Sequence, residues 1–244
     1  MMNRIRANQT VKPRIRDFLL NSLTISSGAI DVISFVSLGR VFTAFMTGNI
    51  AFLGLKVSGN SAPDVISILS SMLAFAFGVV VSTQIVRSIK DPVFWSNRIT
   101  DALIISLIAQ VVFLATWFST KGLPSPNEVY FLISFWAFAM GMQSAAVRRL
   151  RVEGVFTTAA TATFIFLAGD IINSEATSAE RRRLAGILIS LFIGATAGGL
   201  LLSYAHIYAP LLPFVINLAV VIIASVYFRE DLRSNIIQVR LSES

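Results

Sequence analysis

The chain contains no cysteine. Disulfides, thiolate nucleophiles and thiolate metal sites are therefore excluded. It has one histidine, His206, so a multi-histidine metal site cannot form, and the usual nucleophile–histidine pairs of hydrolases are missing. Charge is scarce as well. Only 14% of the 244 residues are Asp, Glu, Lys or Arg, against about 25% in soluble domains. These absences argue against an enzyme, and they lead to the expectation of no metal and no other cofactor.

What the chain does have is apolar sequence: 55% of its residues are hydrophobic and its mean hydropathy is +0.75. Eight apolar segments can be marked, at roughly 18–38, 42–57, 65–87, 101–118, 128–147, 155–172, 183–204 and 209–228. Several approach the ~20 residues that a membrane-spanning helix needs. Turn signals such as "GNSAPD", "KDPVFWSNR" and "TKGLPSPNE" separate them. The opening "MMNRIRANQTVKPRIRDFLL" resembles the charged region of a signal peptide. The run behind it holds Asp31 and no small-residue cleavage site, so it reads as an uncleaved first helix. The expected organisation is a basic N-terminal segment at 1–17, one transmembrane domain at 18–228 and a polar tail at 229–244, with both termini cytoplasmic.

The net charge of +7 does not indicate a nucleic-acid partner. Its basic residues cluster beside apolar segments, as in Arg148, Arg149 and Arg151, or Arg181, Arg182 and Arg183. There they set topology and meet anionic lipid head groups.

The sequence also echoes itself. "GRVFTAFMTGNIAFLG" lines up with "EGVFTTAATATFIFLAG" at an offset of 114, matching Val41, Phe42, Thr43 and Thr47 to Val155, Phe156, Thr157 and Thr161. Upstream, "GAID" falls against "GMQS"; downstream, "AFAFGVVVSTQI" and "LFIGATAGGLLL" occupy equivalent places. The common order implies an internal duplication. Were all eight segments to cross, the basic clusters near 90 and 150 would lie outside, against the positive-inside rule. If the second and sixth are re-entrant or broken, every basic cluster falls inside. The expected fold is thus an all-α polytopic membrane protein of six transmembrane helices plus two short re-entrant elements. Three spans per repeat make the repeats, about 18–118 and 128–228, inverted relative to each other.

"GAID" with "FTAFMTGN", then "GMQSAAVRR" and "VFTTAATAT", resembles the YoaK family of six-span bacterial inner-membrane proteins, catalogued as domain of unknown function 1275. The similarity runs over almost the whole chain and implies this topology in a bacterial cytoplasmic membrane. Two positions depart from the family pattern: Ser144 stands where Asn is usual, and Ala162 where the second element usually has Gly.

Polar residues inside the spans are the candidate site. Asp31 is either a cation, proton or solute contact, or a buried acid satisfied by free N–H groups of the second segment. Thr47, Gly48 and Asn49 are expected to mark a break in that segment, where backbone and side chains can meet a ligand; the alternative is a tight helix crossing. Thr161 and Thr163 are their counterparts, and Gln143 and Ser144 fall against Ile30 and Asp31. Thr157 and Thr158 are read as bonding to their own chain. Gln84, Gln110 and Asn217 read as clasps between helices. Gly194 and Gly198 form a small-residue face for internal packing, with a homodimer contact as the alternative. His206 receives no role, and Asp170 reads as solvated.

The expected function is a transporter or channel for a small polar solute, held between the two repeats. The alternative is a binding or scaffold protein that moves nothing, and a polar cavity between the two re-entrant elements would discriminate them.

Overall fold

The computed structural model describes residues 2–89, 95–150, 160–173 and 177–242, and among them every regular element is helical. In chain order these are α1 (Met2–Ser37), α2 (Met46–Val57), α3 (Val65–Val86), α4 (Asn97–Ser119), α5 (Pro126–Arg148), α6 (Ala160–Asn173), α7 (Ser178–Ala205), a short 3-10 turn at His206–Tyr208, and α8 (Leu211–Ser242). Six of the helices carry stretches long and apolar enough to cross a membrane: Pro13–Ser37, Val65–Val86, Asn97–Ser119, Pro126–Arg148, Ser178–Tyr208 and Leu211–Phe228. The second helix has 12 residues, which at 1.5 Å each reach about 18 Å, well short of the ~30 Å hydrocarbon layer. α6 has 14 and is short for the same reason.

Both terminal helices run further than the apolar pattern. The basic segment before residue 18 continues α1, and the polar tail continues α8 to Ser242. The segments 2–12 and 229–242 contain neither Gly nor Pro; Pro13 inside α1 removes one ladder donor without ending the helix.

Three signals fix the helix starts. Asp64 accepts from the N–H of Ser67 at α3 (3.1 Å), and capping boxes open α5 (Ser125 with Glu128) and α7 (Thr177 with Glu180). α1 ends where Gly39 (φ 79°) and Arg40 (φ 61°) turn left-handed, a conformation that glycine adopts freely.

The tightest packing pairs α1 with α7 and α3 with α5. At each crossing the two chains meet backbone to backbone. A Cβ on Gly28 would collide with the Leu191 carbonyl and one on Gly194 with that of Ile25; likewise Gly78 lies on Phe138 and Gly141 on Phe75. The small-residue face at Gly194 and Gly198 is therefore occupied by α1, and no homodimer contact can use it. Along α1 and α7 the contacts advance together, from Asn21–Gly186 to Ile25–Gly194 and Ala29–Gly198, so the pair is parallel. α3 and α5 are parallel too: Ser67 and Val129 meet at Gly39, while Arg149 beyond α5 reaches Ile89 beyond α3. α4 runs against α5 (Ser106–Ala139) and against α8 (Gln110–Asn217). Hence α1, α4 and α7 point one way, and α3, α5 and α8 the other. The chain leaves α1 and enters α3 at one end of the bundle, so α2 is an excursion that does not cross; α6, between α5 and α7, is another.

The core forms two apolar clusters in series. One, around Leu19, Leu23, Ile99, Leu103, Ala146 and Val220, lies towards the starts of α1 and α4; the other, around Ile30, Ile33, Phe113, Trp117, Ile133 and Trp136, lies towards their ends. Phe113 and Trp136 stack at 3.7 Å within the second.

The crossings yield the first prediction. Gly141→Val and Gly194→Val each force two backbones apart, an overpacking that costs about 1–3 kcal/mol or more. Both should lower the unfolding midpoint of the detergent-solubilised protein by several degrees. Gly54→Ala, inside α2 with nothing within 4 Å of the new Cβ, should leave it unchanged or raise it slightly.

Candidate functional site

Residues 38–45, between α1 and α2, carry no regular hydrogen-bond ladder, and Val41, Thr43 and Ala44 are buried. Their backbone groups need side-chain partners, because nothing in hydrocarbon can supply them. Asp31 supplies two: its Oδ1 accepts from the N–H of Ala44 (2.8 Å) and of Thr43 (2.9 Å). Asn49 supplies the next pair. Its Oδ1 accepts from Phe42 N–H (3.0 Å) and its Nδ2 donates to the Phe42 carbonyl (2.7 Å). Ser71 on α3 donates to that same carbonyl (2.6 Å), and Ser34 donates to Val41 O (2.9 Å). The clasp thus joins α1, the connection, α2 and α3.

The break lies before the Thr-Gly-Asn triplet, not within it. Thr47, Gly48 and Asn49 form the first turn of α2. Gly48 faces the rings of Phe42 and Phe45, where a Cβ would come within 2.8 Å of both, and Phe42 stacks on Phe35 at 5.0 Å. Thr47 is exposed. Of the two readings of Asp31, the geometry realises the satisfied acid, turned inward to the connection it caps.

The other expected residues stand apart. Gln143 on α5 donates to Leu23 O on α1 (3.3 Å), and Ser144 to Met140 O of its own helix (2.7 Å). On α6, Thr161 is exposed and Thr163 buried, the same alternation as Thr47 and Asn49. Thr157, Thr158 and Arg151, and the side chain of Asp170, lie outside the described residues. α2 packs on α3 and α6 on α7. Each short helix therefore sits against a helix of its own half.

A second polar group, set aside in the sequence as helix clasps, occupies the level between the two apolar clusters. Asn217 donates to Gln110 Oε1 (3.1 Å), Gln110 to Ser106 Oγ (3.4 Å) and Ser106 to Ala139 O (3.0 Å), a chain through α8, α4 and α5. Ser26 on α1 reaches Pro213 O at the same level (3.3 Å). Buried Asn217 Oδ1 and Ser27 Oγ have no donor or acceptor among the described residues. What could have exposed this layer is its register: Ser26, Gln110 and Asn217 each fall midway along an apolar run.

The comparisons with known proteins agree with this architecture. The family model described as "Protein of unknown function (DUF1275)" matches residues 19–223. The chain belongs to that family. It is also similar to the UPF0700 transmembrane protein YoaK of Bacillus subtilis (strain 168), at 34% identity over 156 residues, covering 64% of this chain and 67% of that protein. No solved structure matches. The protein is thus a multi-pass membrane protein of a transmembrane family.

The clasp yields the second prediction. Asp31→Asn keeps an acceptor oxygen for Thr43 and Ala44 and should fold nearly as well as the parent. Asp31→Leu and Asn49→Leu strand backbone N–H groups, at about 1–3 kcal/mol for each group, and should show a clear loss of thermal stability. A destabilised Asp31→Asn protein would mean that the charge, not the acceptor, is needed.

Proposed function

We propose that this protein is a transporter or channel for a small polar solute, built from two inverted repeats in a bacterial cytoplasmic membrane. The reading is carried by the exchange of partners between its halves. The first helix of each half packs on the third of the other, through glycines at matching positions: Gly28 and Gly194 in one crossing, Gly141 and Gly78 in the other. The pairings of α2 with α3 and α6 with α7 repeat the same relation, as do α1 with α8 and α5 with α4. Such a frame, with non-crossing elements in both halves, recurs in solute carriers. The solute site in this reading is the mid-depth layer where the halves meet. Asp31 and Asn49 hold the first short element in place beside it, while Gln143 ties α5 to α1.

Orientation follows from charge. Arg14, Arg16, Arg87, Arg98, Arg148, Arg149, Arg181, Arg182 and Arg183 flank helix ends on one side of the bundle; Arg40, Lys56 and Lys121 are at the other. The positive-inside rule assigns the arginine-rich side and both termini to the cytoplasm, where anionic lipid head groups meet it. No residue is assigned a catalytic role, and no cofactor or nucleic acid is invoked.

The scaffold reading draws on a specific observation: the acid and the amide nearest the first short element are bonded to backbone. Flux decides between the two. Proteoliposomes loaded with a mixed pool of metabolites should release one class faster than empty liposomes. Gln110→Leu with Asn217→Leu removes both partners of a buried bond and should be nearly neutral for stability while abolishing that flux. Release equal to the empty control would leave the scaffold reading; unchanged flux in the double variant would displace the site from this layer. Asp31→Asn separates positioning from coupling, because unchanged flux rules out an obligatory carboxylate.

A further inference from the structure

Past their glycine crossing, a cavity of about 710 Å³ opens at the ends of α1 and α7, lined by Val36 and Ser37, by Gly122, Leu123 and Pro124 of the α4–α5 turn, and by Gly199, Leu202, Ser203 and His206. It lies on the seam between the halves, at the end away from the arginine-rich side. Its size is that of a small-molecule site, and apolar walls with a few polar groups are the usual composition. His206 is held against Trp117, ring centroids 5.2 Å apart, with Gly122 leaving room beside its Nδ1. Its ring nitrogens make no hydrogen bond among the described residues. No acid lines the cavity. Lys121 adjoins the lining in sequence and Arg40 follows Ser37 closely, both exposed. The acids of this end, Asp31, Asp64 and Glu128, are engaged at the N–H groups of Thr43 and Ala44, of Ser67 and of Ser125 respectively.

The other crossing has an equivalent seam, which is bridged instead. Arg149 and Leu150 lie as far beyond Gly141 as Val36 and Ser37 beyond Gly28, and Val86 lies as far beyond Gly78 as Leu202 beyond Gly194. Leu202 and Val86 are both buried, but Val36 is 65% exposed and Ser37 half-buried, whereas Arg149 is half-buried and Leu150 is 5% exposed. Leu150 and Val86 join Ile89 and Trp95 in one apolar cluster, and the Arg149 guanidinium donates to the Ile89 carbonyl across the seam. Among the described residues, one seam holds a cavity and its counterpart, at the opposite end of the bundle, is tied across by Arg149.

We propose that the α1–α7 cavity is the port through which a small organic anion with an apolar body reaches the protein from the outer face, and that the Arg149–Ile89 contact seals the matching inner port. The proposal rests on the transport reading given above, and on a two-state frame in which closing one seam opens the other.

Because the chain has no cysteine, each introduced cysteine is unique. Ser37→Cys, Ser203→Cys, Leu150→Cys and Asn60→Cys (exposed, as reference) are placed in the full chain in sealed vesicles of known orientation. Membrane-impermeant methanethiosulfonates are applied from each face, one bearing a sulfonate and one a trimethylammonium group. Positions 37 and 203 should react from the outer face and 150 only slowly from the inner. The sulfonate-to-ammonium rate ratio at 37 and 203 should exceed that at 60 by ~3-fold or more, as expected for a positively polarised cleft. Adding Arg149→Ala should raise the rate at 150 about 10-fold and lower that at 37, a population shift; Arg149→Lys, which retains a donor, should change both less. Equal rates at 150 and 37, or no response to Arg149→Ala in a variant that elutes as the parent does, would overturn the gate. A ratio favouring the ammonium reagent would overturn the anion. Labelling is independent of flux: open and shut ports without transport would refute the carrier reading alone, and transport without the asymmetry would refute this one alone.

Discussion

Backbone amides at membrane depth have no water to turn to, and that requirement organises the first half of this protein. Once α1 stops at Gly39, several N–H and C=O groups enter an apolar layer outside any helix. Each must be met, at a cost of several kcal/mol if it is not. Asp31, Ser34, Asn49 and Ser71 each take part of the load. An acid, an amide and two hydroxyls from three helices thereby become one device, and only with that device in place can α2 begin where it does.

The two halves do not solve this problem with the same residues. The position corresponding to Asp31 is Ser144, whose hydroxyl bonds back to Met140 of its own helix. Thr163, buried in α6 as Asn49 is in α2, lacks an amide's paired donor and acceptor.

The spans were legible in the sequence because apolar length and turn punctuation are direct consequences of bilayer thickness. The non-crossing character of the second and sixth segments follows from arginine placement alone; the meeting of Gly39 with Ser67 at the start of α3 and the antiparallel pairing of α4 with α8 require it geometrically. The exact break is not where the Thr-Gly-Asn triplet suggests, because Gly39 is the glycine with left-handed backbone and Gly48 makes room for two phenylalanine rings. Gln110 and Asn217 were each recognised as clasps, but not as partners of one another. Nothing local announces a contact between residues so distant in the chain. Gly28 and Gly141 stood out only as points of alignment; what they touch depends on which helices become neighbours, and that is a property of the whole bundle.

Parallel glycine crossings also bear on how such a bundle could move. Where two helices touch backbone to backbone, few side chains interlock, and the pair can pivot with little repacking. Ser37 and Ser203 each lie nine residues beyond Gly28 and Gly194, so a small rotation at the crossing would become a larger displacement there. The α3–α5 crossing has the same construction and faces the opposite end. α4 contacts both α5 and α8 while α8 contacts α1, so the layer containing Ser106, Gln110 and Asn217 ties the two pairs together. The buried amides therefore sit where any movement of one pair against the other would have to be accommodated, each with another amide within reach.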